Sequence, residues 1–427
     1  MRIRGLRGFA SPMPTHDFAG TRSLAGWLCR LGGSDRTTTG NQRIGMLSRP
    51  RMLRRSMSLG GSKMRRSLFL AIVVIPLAFT ASPVRAEFRR IATIPFPGAP
   101  LVSFDIGWVN DRGTAYYLTD RSNARIDIFD ARNNTYRGKV DGFVGVDPRG
   151  TPYSGPNGVL VVEDQRELWA SDGDSTIKVI DLRSLETVAV IDTGGAKRAD
   201  EMAYDPRDHI FIVANNEESP PYVSFIDTRS RAILGTLAFP LATDGLEQPV
   251  WDRHTGKFLQ AVPETAANPA GEIAEIDPLT MQLTQTFPIP VIEGRLCSPH
   301  GIDLGARHEL LIGCSLAGTN VETLIMNAST GAIVKVFTEV GSSDEVWFNR
   351  GDRNYYLAAR NFPGGAVLGV INSEDNSWVV NIPTAPNAHS VAASRRDDHV
   401  FVPLTPLASD PDCVTGCIGV YADDEED

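Results

Sequence analysis

The sequence lacks the motifs of several large enzyme classes. It contains no glycine-rich phosphate loop, no dinucleotide fingerprint, no Gly-x-Ser-x-Gly elbow and no Cys-x-x-Cys-His haem-attachment site. Each motif performs a defined chemical task, so its absence argues against the cofactor or mechanism that depends on it. The sequence therefore predicts no nucleotide cofactor, no haem and no serine-hydrolase mechanism.

Basic residues are scarce beyond the N-terminal region. The first 86 residues hold 15 of the 42 Lys and Arg and 2 of the 51 Asp and Glu, so the remaining chain has a net charge near −22. Such an acidic surface repels nucleic acid and anionic lipid. Solubility explains it, and attraction of cationic ligands is the alternative interpretation. We therefore expect no nucleic-acid partner.

Apolar runs long enough to span a membrane are also missing. The apolar segment 68–81 has 14 residues, whereas a spanning helix needs about 20. It follows a basic pair, Arg65 and Arg66, and precedes the small-residue pattern Val84-Arg85-Ala86. Residues 64–86 are therefore predicted to be a signal peptide, and the mature protein is predicted to be periplasmic or secreted, without a membrane span.

The segment upstream of the signal peptide shows no fold pattern. Residues 1–63 are rich in Arg, Gly and Ser and have no apolar periodicity. We interpret them as a non-native segment before a true start at Met64, or as a transit-like or disordered leader. Residues 87–423 are then one domain, and residues 424–427 are an acidic tail.

A strand-and-turn unit recurs seven times in this domain, and each copy opens with a polar residue before an apolar run. The opening residues are Asp105, Asn157, Glu201, Gln248, His300, Glu345 and His389, with steps of 52, 44, 47, 52, 45 and 44 residues. Each unit has room for four short strands separated by Asp, Asn, Gly and Pro, and helical periodicity is absent. The period predicts an all-β fold, a seven-bladed β-propeller with four-stranded antiparallel blades.

The last unit lacks a fourth strand, because only the acidic tail follows Tyr421. The segment 88–96 precedes the first unit and resembles the fourth strands of the other units. We predict that it joins the last blade and closes the ring, which removes two sheet edges.

The repeat resembles the YVTN/NHL-type seven-bladed propellers over residues 88–423. The resemblance rests on the period, on third strands that end as Ile128-Phe129-Asp130 and Val179-Ile180-Asp181 do, and on the strand starts Pro156-Asn157-Gly158 and Pro299-His300-Gly301. The family is often secreted and includes lactonases, lyases, electron-transfer subunits and scaffolds. The resemblance therefore implies the fold and leaves the activity open.

Four of the five cysteines lie in the predicted propeller, and Cys29 lies in the leader. Cys297 precedes the first strand of its unit and Cys314 ends the second strand, which propeller geometry brings close together. Cys413 and Cys417 bracket a short loop of the last unit. We predict two local disulfides, since the spacing does not match a zinc ribbon.

The opening residues should crowd around one end of the central channel, together with loop residues that join the second and third strands. The candidate ligand-binding residues are Asp105, Asp120, Asn157, Asp172, Asn215 and Gln248. The candidate ligands of one divalent metal (Ca, Mg, Mn or Zn) are Glu201, His300, Glu345 and His389. Polar channel lining without any activity is the alternative interpretation.

If the site is catalytic, His300 or His389 is the predicted general base, with Glu345 or Glu201 as its partner. Arg360 is predicted to hold a carboxylate or an oxyanion. The leading hypothesis is a metal-assisted lactone or ester hydrolase or a C–O lyase, resembling propeller lactonases and streptogramin-type lyases. The alternative is a monomeric binding or scaffold propeller for a small molecule or a secreted protein partner.

Overall fold

The computed structural model describes residues 88–315 and 322–423, which form seven four-stranded antiparallel sheets. The innermost strands of successive sheets contact one another around the ring, and the innermost strand of the seventh sheet contacts the innermost strand of the first. The predicted seven-bladed propeller is confirmed. The described residues include no α-helix, and so none that is long and apolar enough to cross a membrane. The predicted leader, signal peptide and acidic tail lie outside the described residues.

Each blade has its innermost strand at the channel and its fourth strand at the periphery. Blades 1 to 3 consist of β2 (Gly107–Val109), β3 (Ala115–Asp120), β4 (Arg125–Asp130) and β5 (Thr135–Asp141); β6 (Val159–Val162), β7 (Glu167–Ser171), β8 (Thr176–Asp181) and β9 (Thr187–Asp192); and β10 (Met202–Asp205), β11 (Ile210–Asn215), β12 (Tyr222–Asp227) and β13 (Ala232–Ala238). Blades 4 and 5 consist of β14 (Pro249–Asp252), β15 (Lys257–Val262), β16 (Glu272–Asp277) and β17 (Gln282–Pro288); and β18 (Pro299–Leu304), β19 (Glu309–Cys314), β20 (Thr323–Asn327) and β21 (Ile333–Phe337). Blades 6 and 7 consist of β22 (Val346–Phe348), β23 (Asn354–Ala359), β24 (Val367–Asn372) and β25 (Ser377–Pro383); and β26 (Ala392–Ala393), β27 (Val400–Leu404), β28 (Cys417–Ala422) and β1 (Arg89–Pro95).

The N-terminal strand closes the ring. β1 is the outermost strand of blade 7 and pairs antiparallel with β28, from Arg89 opposite Ala422 to Pro95 opposite Cys417. The predicted closure is thus confirmed. It joins the two ends of the domain within one sheet.

Apolar side chains fill every interface between neighbouring blades. For example, Leu118 and Phe129 of blade 1 pack with Phe401 and Val420 of blade 7, and all four are fully buried. The second and third strands of each blade are buried on both faces, which explains their nearly continuous runs of Val, Ile, Leu and Phe. The core is therefore a ring of interfaces around the channel.

The Asp that ends the third strand of several blades fixes the following turn. Asp181 Oδ1 accepts hydrogen bonds from the backbone N–H groups of Arg183 (2.9 Å) and Ser184 (2.8 Å). Asp277 Oδ1 likewise accepts from the backbone N–H groups of Leu279 and Thr280. A side chain that accepts from its own backbone two or three residues on is an Asx turn. The repeated Asp is therefore a turn-forming residue, as is Asn327 in blade 5.

Both predicted disulfides are present. Cys297 is bonded to Cys314 and Cys413 to Cys417, with Cα–Cα distances of 4.6 and 5.0 Å. Disulfides persist in oxidising compartments, so the two bonds are compatible with an extracellular location.

Candidate functional site

The inner strands of all blades start at one end of the channel, where charged side chains converge. We call this end the polar mouth. Its residues are Asp105, Arg121, Asn157, Arg198, Asp200, Glu201, Glu247, His300, Asp344, Glu345, Arg360 and His389. Six carboxyl groups, three guanidinium groups and two imidazoles thus share a small and mostly buried volume.

Arg121 ties the first two blades together at the polar mouth. It is buried and forms an ion pair with Asp105, and its Nε donates to Asn157 Oδ1 at 2.9 Å. His389 Nε2 lies 3.5 Å from the other oxygen of Asp105. Burial alone would raise the pKa of Asp105, but Arg121, His389 and Arg198 outweigh it and lower the pKa to about 2. Asp105 is therefore ionised at neutral pH.

Two further arginines are held by carboxylates at the mouth. Arg198 donates to Asp200 at 2.8 Å, and Arg360 lies 3.0 Å from Asp344. Burial raises the pKa of Asp200 to about 6, although Arg198 pulls it down. Arg360 is the more accessible of the two cations, with 30% of its side chain exposed against 12% for Arg198.

Glu247 and His300 form a carboxyl–imidazole pair that solvent can reach. His300 Nε2 lies 3.8 Å from Glu247 Oε1, and both side chains are about one-fifth exposed. His300 Nδ1 lies 2.9 Å from the Ser298 carbonyl oxygen, to which it donates, so Nε2 is the atom that faces Glu247. Burial raises the pKa of Glu247 to about 7. Burial opposes the charge of His300, but Glu247 and Asp344 raise its pKa above the usual value.

Glu201 and Glu345 face one another across the mouth, and both are buried. Burial raises the pKa of each carboxyl well above the usual range. The negative charge of Glu345 raises the pKa of Glu201 further, and the negative charge of Asp344 raises the pKa of Glu345 further. Because the two charges oppose each other and both groups are buried, the folded protein favours a state in which at least one of the two carboxyls keeps its proton. Glu201 Oε2 has no hydrogen-bond partner among the described residues. The pair therefore stores a proton inside the fold.

This proton makes stability depend on pH. Since the folded-state pKa values of Glu201 and Glu345 exceed the unfolded values, the pair contributes its full stability below the unfolded pKa and loses it as pH rises toward the folded one. We expect Glu345→Gln to stabilise the protein by about 1–3 kcal/mol at pH 8 and to change little at pH 5. Urea unfolding at both pH values measures the difference. Glu374→Gln, at an exposed position, is the control. Equal effects of Glu345→Gln at the two pH values would contradict the proton kept by the Glu201–Glu345 pair.

Other predicted ligand-binding residues lie at or just after the ends of second strands. Asp120 accepts from the Asn123 backbone N–H at 3.0 Å, Asp172 pairs with Lys178, and Asn215 accepts from Thr193. The side chains of Asp120, Asp172 and Asn215 are inaccessible to solvent. They hold the loops between second and third strands in place and are not positioned to touch a ligand.

Gln248 also lies away from the mouth proper. Its side-chain oxygen accepts the Ile302 backbone N–H at 2.9 Å, which joins blade 4 to blade 5. The structure brings together the other predicted residues, which are Asp105, Asn157, Glu201, His300, Glu345, Arg360 and His389.

The sequence pattern missed five members of the mouth, which are Arg121, Arg198, Asp200, Glu247 and Asp344. Three of them directly precede a predicted opening residue. In blades 3 and 6 both residues of the doublet reach the mouth, whereas in blade 4 Glu247 takes the place predicted for Gln248. The two arginines come from loops, and no periodic signal marks them. An Asp or Glu doublet before an inner strand (Asp200-Glu201, Asp344-Glu345) is the signal that could have found the carboxylates.

The donor set does not form an evident metal site. The described part of the chain contains no group of three or more His, Cys, Asp or Glu side chains placed to hold a metal ion. Guanidinium groups stand between several of the carboxylates, and a cation would compete with them. The predicted set of Glu201, His300, Glu345 and His389 stays a prediction.

Comparison with known proteins gives the fold and no family. No family model and no curated protein matches the sequence. Among solved structures, a chain of the "Crystal Structure of Mitotic Checkpoint Complex" is similar with a TM-score of 0.59 and 12% identity, over 84% of this chain and 99% of that chain. At this identity the likeness shows the fold alone. Since 1763 chains of solved structures match, the fold does not select a function.

Proposed function

We propose that the polar mouth is the active site of an enzyme that uses general acid–base catalysis on a small oxygenated molecule. The observation that carries the proposal is the Glu247–His300 pair, 3.8 Å apart and partly exposed at the end of the channel. A carboxyl with a pKa of about 7 beside an imidazole whose pKa is raised suits proton transfer near neutral pH.

The two groups have different roles in the proposed reaction. Glu247, ionised above pH 7, accepts a proton from water, and the resulting hydroxide attacks the carbonyl carbon of a lactone or ester. His300, in its protonated form, donates a proton from Nε2 to the leaving oxygen. In an elimination, Glu247 would instead take a proton from carbon while His300 protonates the departing oxygen, so the same pair serves a C–O lyase. Arg360 is positioned to hold the substrate's carbonyl oxygen or carboxylate.

The substrate class and the location rest on the sequence motifs and on the disulfides. The strand motifs resemble YVTN/NHL-type propellers, among which are lactonases and lyases, and we propose that the chain is one of them. The pattern of residues 64–86 and the two disulfides support a periplasmic or secreted protein. No step of the proposed reaction passes through a metal.

We expect Glu247→Gln and His300→Gln each to lower kcat/KM by roughly 10²–10⁴-fold, because each removes a proton-transfer group. The assay is release of acid from a panel of γ- and δ-lactones and aryl esters, followed with a pH indicator. Activity should rise as pH passes 7, where Glu247 ionises, and fall again as His300 loses its proton. Treatment with EDTA should leave the rate unchanged.

His308→Gln is the matched histidine control. His308 pairs with Asp252 at 2.7 Å in a turn at the other end of the blades, so this variant should keep full activity. Melting temperatures within about 2 °C of wild type would show that the Glu247 and His300 variants are folded. Activity that survives both substitutions would refute the acid–base assignment, and activity lost with EDTA would favour a metal.

A binding or scaffold role is the second candidate. It is favoured by the pairing of all three arginines of the mouth with carboxylates, because an anionic substrate would have to compete with these carboxylates. The similar solved chain belongs to a complex. Binding of a protein partner that is lost on substitution of the loop at residues 217–221, with no turnover on any substrate, would support this role.

A further inference from the structure

The channel opens at its other end into a cavity that no part of the proposed reaction uses. Its volume is about 480 Å³, within the usual range for small-molecule sites. The inner strands lead into it from the polar mouth, and Met202 and Gln248 line it one residue beyond Glu201 and Glu247. We call it the aromatic cavity.

Large flat side chains from several blades form its wall. They are Trp108, Tyr204, Trp251, Trp347 and Phe348. Each is only partly buried, unlike the core aromatics of the same blades. Trp108 and Trp347 meet edge to face, with ring centroids 4.9 Å apart, and the Trp251 indole Nε1 has no acceptor among the described residues. These surfaces suit stacking against a flat apolar group.

The rim of the aromatic cavity carries exposed arginines. Arg253, Arg350 and Arg395 line it from blades 4, 6 and 7, all three are exposed, and in residues 88–315 and 322–423 none of them forms a salt bridge. Arg207 adds a fourth cation, 5.5 Å from the Trp251 ring. This is unusual in a chain whose net charge beyond residue 86 is near −22.

The acidic side chains of the rim also have partners other than the arginines. Glu163 accepts from the Asp111 backbone N–H at 2.6 Å, and Asp164 lies 3.2 Å from His209. Deeper in the wall, Asp303 accepts from the backbone N–H groups of Leu304 and Phe348. The carboxylates remain beside the arginines, since Glu163 feels the charge of Arg395 and Asp303 that of Arg350. Burial raises the pKa of Glu163 and raises that of Asp303 to about 6, which weakens both negative charges, whereas the three guanidinium groups are exposed.

We propose that the aromatic cavity binds a small amphipathic anion, with a flat apolar body between the Trp side chains and a carboxylate, sulfonate or phosphate at Arg350 and Arg395. Guanidinium groups form the strongest hydrogen bonds with such anions. The site is separate from the acid–base pair, so it stands whether or not the polar mouth is catalytic.

The probe is 8-anilinonaphthalene-1-sulfonate, with its neutral analogue N-phenyl-1-naphthylamine for comparison. Energy transfer from tryptophan reports binding to the full chain. We expect one saturable site for the sulfonate, weakened about tenfold, or about 1.4 kcal/mol, in the double variant Arg350→Gln, Arg395→Gln. The neutral analogue should bind that variant within twofold of wild type. Trp108→Leu should weaken both probes.

The control is Arg166→Gln, Arg183→Gln, which removes two exposed arginines from turns near the same end of the blades. It should bind the sulfonate as wild type does, since only distant charge has changed. Equal weakening by the control and by the rim variant would overturn the proposed anion contact. Tighter binding of the neutral analogue than of the sulfonate to wild type would overturn it as well, and unchanged binding of both probes by Trp108→Leu would remove the cavity as their site.

Discussion

Deletion of residues 88–96 is expected to prevent stable folding, with a loss of more than about 5 kcal/mol, which is a large part of a typical domain's stability. The deletion removes β1 and exposes the whole edge of β28, from Cys417 to Ala422. An unpaired edge of apolar sequence is also a template for aggregation. Circular dichroism and size-exclusion chromatography of the truncated protein measure the outcome.

Two isoleucines of β1 allow the same substitution to be compared at a buried and at an exposed position of the closing strand. Ile94 is 2% exposed and packs between blades 7 and 1, whereas Ile91 is 37% exposed. Ile94→Ala should therefore cost about 2–4 kcal/mol, and Ile91→Ala less than about 1 kcal/mol. A truncated protein with the wild-type melting temperature would show that the ring is stable without its closing strand. Equal costs of Ile94→Ala and Ile91→Ala would contradict the packing of Ile94 between blades 7 and 1.

The closure could be predicted from sequence because both of its causes are local. The last unit lacks a fourth strand, and residues 88–96 have the alternation of one, so the missing and the spare strand match. The Asx turns after Asp181 and Asp277 are local in the same way, since each side chain bonds to its own backbone within three residues. Repeats and turns are therefore visible without the structure.

The polar mouth could be predicted only in part, because its composition depends on contacts between blades. The opening residues His300, Glu345 and His389 are marked by the repeat. Arg121 and Arg198 are not, since they reach the mouth from loops that have no common length. The burial that raises the pKa of Glu247 is also a property of the assembled ring. Contacts between residues of different blades determine the charge and pKa values of the mouth, and the strand pattern within one blade does not show these contacts.

The aromatic cavity went unnoticed in the sequence for a related reason. Trp108, Trp251 and Trp347 have the same strand position as ordinary core residues in other blades, so nothing in the pattern separates a channel-facing aromatic from a buried one. Only the width of the ring, set by seven blades around one axis, leaves space between them.

Arg121→Met is expected to destabilise the protein by about 3–5 kcal/mol, the usual cost of removing one partner of a buried ion pair. The substitution preserves most of the side-chain volume, so the loss reports charge and hydrogen bonding. Asp105 would remain ionised at the mouth, and Asn157 would lose its donor. Chemical unfolding at pH 7 measures the cost, and Arg112→Met, at an exposed position without an ion pair to any described residue, should cost less than about 0.5 kcal/mol.

The pH dependence of this variant tests the cause. The folded-state pKa of Asp105 is about 2, below its ordinary value of 3.8, so the carboxylate contributes about 2 kcal/mol that is present above pH 4 and is lost as pH falls toward 2. The stability gap between wild type and Arg121→Met should therefore narrow over that range, and Asp105→Asn added to Arg121→Met should recover part of the loss at pH 7. A gap that stays constant down to pH 2 would mean that Arg121 stabilises the ring through packing alone. In that case the charges of the polar mouth would not influence one another, and the pKa values of Glu247 and His300 would have to be explained without the ion pairs around them.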